Sequence, residues 1–185
     1  APRQPDIPRP KLLSDTWSFV AAARMQLDGY LKLVRSYGDE PRVAVWDSIL
    51  ANLRTLDSLA RGEPEQALIR RFMIDFVRPK MDKLGWDEKP GETPEDSQLR
   101  GMLATALARA GDPQAIEQGR ARFAAYLKDP SAVPPSMIDF VTSTAGRYAD
   151  EATYEALAAR AANAPTSEER NRFGRALTGV QDPAL

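Results

Sequence analysis

The side chains able to do chemistry in this sequence are carboxylates and guanidiniums. The 185 residues contain no histidine and no cysteine. Imidazole acid–base catalysis, Ser-His and Cys-His nucleophile pairs, and His- or Cys-ligated zinc are therefore excluded within the chain. Asp39-Glu40, Glu63, Glu65, Asp87-Glu88, Glu95-Asp96, Asp150-Glu151 and Glu168-Glu169 all fall where helices should begin. Helix dipoles favour negative charge there. An acid–base carboxylate pair of the glycosidase kind is the catalytic alternative. A carboxylate-only metal site has no signature, and neither a phosphate-cradling glycine loop, a GxSxG elbow nor HExxH appears.

Among the cations, Arg70-Arg71, Arg120 and Arg122 read as solvated helix faces, or else as a peptide- or anion-binding groove. Arg100 stands apart. It follows Leu99 and precedes Met102-Leu103, at the edge of an apolar stripe. Two readings remain open for it: half-buried and paired with a carboxylate, or aimed into a cavity to receive a carboxylate ligand. Trp17, Trp46 and Trp86 read as core or staple residues rather than ligand stackers.

The elements that must position these residues are helices. Leu99, Met102, Leu103, Ala106, Leu107 and Ala110 recur at the helical period. Gly111 ends that helix, Asp112 caps the next and Pro113 suits its first position. Ile116, Phe123 and Leu127 continue the apolar side, with Gly119 and Ala124 permitting close approach. Leu99–Asp129 is thus an antiparallel helical hairpin.

The same punctuation recurs along the chain. Ala1–Pro10 holds four of the fifteen prolines, and residues 1–11 read as an extended leader. Ser14 or Asp15 caps the first helix, Asp28-Gly29 breaks it, Tyr37-Gly38 ends the second, and Pro41 opens a helix around Trp46. Arg61-Gly62-Glu63-Pro64 is a stop and restart. Pro79 is expected to kink or end the following helix near Arg78. Gly85–Thr93 reads as an inter-helix loop or hinge, and Thr93-Pro94-Glu95-Asp96 as a cap. Three further helices follow. Ala106-Leu107…Asp112-Pro113 is echoed by Ala176-Leu177…Asp182-Pro183, at about two helical-hairpin repeats. The expectation is an all-α chain of about nine helices, with antiparallel hairpins stacked as an α/α superhelix over residues 12–185.

Net charge is −1, with 25 basic and 26 acidic residues, which predicts no nucleic-acid partner. No apolar run approaches the roughly 18 residues of a membrane helix. The first residue, Ala1, suggests a processed or excised chain. Compartment stays open between cytoplasmic and periplasmic or secreted.

Several segments, in order, carry a family resemblance: Leu12-Leu13-Ser14-Asp15, the long helix around Trp46, Pro79…Lys83-Leu84-Gly85-Trp86, Leu99-Arg100, Ala108…Gly111-Asp112-Pro113, Ala121-Arg122-Phe123, Ser167-Glu168-Glu169-Arg170 and Ala176-Leu177…Asp182-Pro183. Together they resemble the C-terminal helical domain of gluzincin aminopeptidases. The resemblance implies a HEAT/armadillo-like superhelix that closes over a catalytic domain and encloses peptide. It places the zinc ligands and the GxMEN motif in that preceding domain, so this chain holds no cofactor and no catalytic residue. Its expected partners are its own catalytic domain and the peptide substrate. Arg100 falls at a recurring family arginine and is the one candidate for peptide contact. The rival reading is a free-standing helical-repeat scaffold binding a protein or peptide, and a carboxylate-dependent enzyme is a third.

Overall fold

The computed structural model describes residues 9–185, with side chains from residue 11 onward. The described residues form nine α-helices and two single-turn 3-10 helices, with no strand. The α-helices are α1 (Arg9–Ala21), α2 (Leu27–Arg35), α3 (Val43–Leu59), α4 (Glu65–Leu84), α5 (Pro94–Arg109), α6 (Pro113–Lys128), α7 (Ile138–Arg147), α8 (Glu151–Ala162) and α9 (Ser167–Leu177). The expected all-α fold is what the chain adopts. It divides into two compact units, residues 1–80 and 81–185, with the division inside α4.

Two boundaries differ from the sequence reading, and a third is settled against a helix end. Helix α1 begins at Arg9, so Ser14 and Asp15 lie inside it rather than capping it. Pro10 is tolerated because the first turn needs no N–H donor there. The expected extended leader thus loses residues 9–11 to the helix, and residues 1–8 lie outside the described residues. The break expected at Asp28-Gly29 falls earlier: Ala23 takes φ 56° between the helices, and α2 runs through Asp28 and Gly29. Helix α4 continues past Pro79 to Leu84.

In the first unit, Trp46 of α3 is wholly buried and stacks on Phe76 of α4 at 5.0 Å between centroids. Its indole Nε1 donates to the Glu40 carbonyl at 2.8 Å, so the burial leaves no orphan donor. Trp17 packs against Tyr30 at 5.2 Å. Trp46 is a core residue and half-buried Trp17 a staple against Tyr30, within the core-or-staple reading.

In the second unit the hairpin is α5–α6. Gly111 ends α5 with φ 90°, a conformation glycine adopts without steric cost. Asp112 Oδ1 accepts from the Ala115 amide at 2.9 Å, with Pro113 in the first turn. Thr93 and Asp96 form a reciprocal capping box at the start of α5. Helix α7 packs against α5, α6, α8 and α9. It does so closely because glycines meet their neighbours at the crossings. A Cβ on Gly119 would sit 2.5 Å from Thr144 Cγ2, and one on Gly146 would sit 2.1 Å from the Ala176 carbonyl oxygen.

The ends of these helices are completed by side chains from other helices. Tyr148 Oη donates to Ala108 O at 2.7 Å, Arg120 Nη2 to Tyr148 O at 2.9 Å, and Arg160 Nη2 to Leu127 O at 2.9 Å. Helix C-termini leave carbonyls without intrahelical donors, and these contacts supply Tyr148 O and Leu127 O, while Ala108 O also accepts from the Gly111 amide at 3.0 Å.

Candidate functional site

Arg100 sits one and a half turns into α5, with its side chain wholly buried. Its Nε donates to the Gly85 carbonyl at 2.9 Å, and its Nη2 bonds both carboxylate oxygens of Glu92. Glu92 is largely covered, its side chain 15% exposed. The Arg100 hydrogen bond is the main influence holding the Glu92 carboxyl below its ordinary value. Arg100 Nη1 is buried without a hydrogen-bond partner among the described residues. The carboxylate pairing open in the sequence is present, and the burial is complete rather than half.

The residue thus clasps both ends of the 85–93 loop. Arg122, from α6, holds the loop's middle: its Nη2 donates to Trp86 O at 3.2 Å and to Asp87 Oδ1 at 2.7 Å. Ser136 reaches Glu88 at 3.2 Å, and the Trp86 ring lies 5.9 Å from Phe140. The segment read as an inter-helix loop or hinge is a loop fastened from α5, α6 and the segment before α7.

Two of the other arginines are braces rather than solvated faces, Arg70 pairing with buried Asp57 at 2.6 Å and Arg122 fastening the loop. Arg120 is exposed while completing the end of α7, and exposed Arg71 pairs with Asp75 at 3.0 Å. Their acceptors are up to 36 residues away in sequence, beyond any local pattern.

Between α6 and α8 runs a groove of about 400 Å³. Phe123, Leu127 and Ala156 give it an apolar floor, while Arg120, Tyr148 and Asp150 give it polar edges. Asp150 caps α8 through the Thr153 amide at 2.9 Å, and hydrogen bonding to Thr153 holds its carboxyl below the ordinary value. An apolar floor with a few polar groups is the general makeup of a ligand-binding cleft. Sequence reasoning missed this groove because its walls come from separate hairpins, though Phe123 and Leu127 had been placed on one helix face.

No group of His, Cys, Asp or Glu suited to a metal ion occurs among the described residues. The residues present do not fit a zinc site. Among the described residues, no helix is long and apolar enough to cross a membrane.

Fold and site together define a helical-hairpin domain whose buried cations brace loops and helix ends. Residues 2–185 match the family described as ERAP1-like C-terminal domain, and the chain belongs to it. Curated relatives include Aminopeptidase M1-A of Oryza sativa subsp. japonica, 29% identical over 93% of this chain and 20% of its own length. Aminopeptidase 2 of Candida albicans is 26% identical over 89% of this chain and 18% of its own length. The Alanine/arginine aminopeptidase of Saccharomyces cerevisiae is 26% identical over 94% of this chain and 21% of its own length. The chain spans about a fifth of the length of these relatives. It is therefore a C-terminal domain of the aminopeptidase type.

Proposed function

We propose that residues 12–185 act as the noncatalytic, chamber-enclosing part of a zinc aminopeptidase. On this reading the zinc and the catalytic residues lie in a preceding domain of the same polypeptide, where the metal would supply Lewis-acid activation of water. This domain restrains the distal part of the peptide and excludes folded protein. The observation that carries the reading is family membership along the chain, with relatives about five times as long that are named aminopeptidases.

The α6–α8 groove is the surface that receives peptide. Arg100 serves that surface as a positioning residue. It is buried and engaged by Gly85 and Glu92, so it acts through the loop it clasps.

The first test is the coding sequence upstream of Ala1. HExxH followed by a glutamate, with GxMEN before it, supports the proposal; a start codon immediately before Ala1 overturns it in favour of the scaffold. The second test uses the whole enzyme. Ala124 is exposed and lines the groove. Ala124→Arg should raise KM for long peptides and leave short aminoacyl amides unaffected. Equal KM values for long peptides before and after the change remove the groove from the proposal.

A further inference from the structure

A separate cavity of about 180 Å³ opens where α5, α7 and α9 end. This is roughly ten times the space a single water requires. Each of the three helices contributes an arginine from its last turn: Arg109, Arg147 and Arg175. Thr105, Ser143 and Thr144 supply hydroxyls. No carboxylate is among the described residues lining it.

The plain explanation is that each arginine answers the negative end of its own helix. The charges do not balance on that account. A helix C-terminus is worth about half a negative charge, so three of them amount to about 1.5. Arg147 and Arg175 alone exceed this, before Arg109 is counted. Neither Arg147 nor Arg175 has an ion-pair partner among the described residues, although Arg147 lies 5.9 Å from the Tyr148 ring.

The hydrogen bonding is incomplete in the same direction. Thr105 and Ser143 already donate to Gly101 O at 2.7 Å and Phe140 O at 3.2 Å. Thr144 Oγ1 and Arg147 Nε are buried and have no hydrogen-bond partner among the described residues. Both are donors, and a buried donor without an acceptor is costly. The cavity therefore lacks acceptors and negative charge, and it has room for a group carrying both.

We propose that this cavity is a binding site for a small oxyanion. Arg147 and Arg175 supply the charge, and the buried donors of Arg147 and Thr144 supply direction. A free phosphate and a carboxylate group share the chemistry of clustered acceptor oxygens. The site lies on α5, α7 and α9, away from the groove between α6 and α8, so it does not depend on the peptide role.

Isothermal titration of the purified protein with inorganic phosphate, and separately with acetate, tests this at an ionic strength fixed with chloride. Saturable binding is expected, with a matching rise in thermal midpoint. Arg175→Gln, at an exposed position, should weaken it about tenfold or more, the scale of one charge-assisted hydrogen bond. Arg147→Gln should do the same, and exposed Arg170→Gln should not. Preference for phosphate names a free inorganic anion as the ligand, and preference for acetate names a carboxylate. Saturation by neither anion, or binding that survives the Arg147→Gln/Arg175→Gln pair, overturns the proposal.

Discussion

Gly146→Ala is the substitution whose outcome the packing of α7 fixes most tightly. The new Cβ would lie 2.1 Å from Ala176 O, 2.7 Å from its carbonyl carbon and 3.0 Å from its Cα. Carbon–oxygen contacts between helices settle at about 3.3–3.6 Å, so relief needs a shift of about 1.2 Å. All three obstructing atoms are backbone, and α9 cannot move alone because Phe173 and Ala176 are buried. Overpacking of this kind costs about 1–3 kcal/mol, and the rigid obstacle argues for the upper end. Replacing glycine by alanine inside a helix returns about 0.8–1 kcal/mol. The net loss is about 2 kcal/mol, or about 4–8 °C in thermal midpoint for a chain of this size. Gly174→Ala, in α9, is the control: its Cβ meets nothing within 4 Å. It should gain about 0.8–1 kcal/mol by helix propensity alone. Urea and thermal unfolding followed by circular dichroism read both. A Gly146→Ala protein as stable as the unaltered chain would refute the close-approach reasoning.

Arg100→Ala should release the 85–93 loop, seen as faster amide hydrogen exchange there; Arg100→Lys should not restore protection, because one ammonium cannot replace an Nε on Gly85 O together with an Nη2 on Glu92. Unaltered exchange would remove the clasp from Arg100. Glu92 has its folded-state carboxyl value depressed below the ordinary 4.5, so its contribution is present above that value and lost as pH falls through the depressed one. In acid titration of stability, Glu92→Gln should flatten the limb below pH 4.5, and an unchanged slope would contradict the assignment. Asp112→Ala removes the cap of α6 and should cost about 1 kcal/mol or more in urea unfolding; no measurable loss would show that Pro113 alone fixes the helix start.

The α5–α6 hairpin was legible because its instructions are local. Gly111, Asp112 and Pro113 act within four residues of one another, and the Thr93–Asp96 box spans one turn. The errors lie where a local signal met a competing cause. Asp28-Gly29 resembles a break, yet α2 carries through it with Tyr30 and Val34 buried. Ala23, an unlikely residue for a positive φ, bears the actual turn. Pro79 does not end α4, because a missing donor is tolerated inside a helix held by its apolar neighbours Phe76 and Val77. Arg70 and Arg122 were misread as solvated faces for a different reason. Arg120 and Arg122 find acceptors 28 and 36 residues away, and a helical period reveals only which face a residue occupies. Arg100 was legible in part: its place at the edge of the stripe foretold a carboxylate partner, while the clasp on Gly85 depends on the loop's return.

Helix ends completed by distant side chains have a consequence for synthesis. The chain leaves the ribosome from its N-terminus, at about 5–20 residues per second. Leu127 emerges 33 residues before the Arg160 that donates to its carbonyl. Ala108 emerges 40 residues before Tyr148. Until Arg160 emerges the end of α6 lacks this donor, whereas Ala108 O already has the Gly111 amide. The end of α6 is thus fastened from behind, and the end of α7 by an Arg120 made 28 residues earlier. A purified chain truncated between Tyr148 and Arg160 should show a protected end of α5 and an exchanging end of α6.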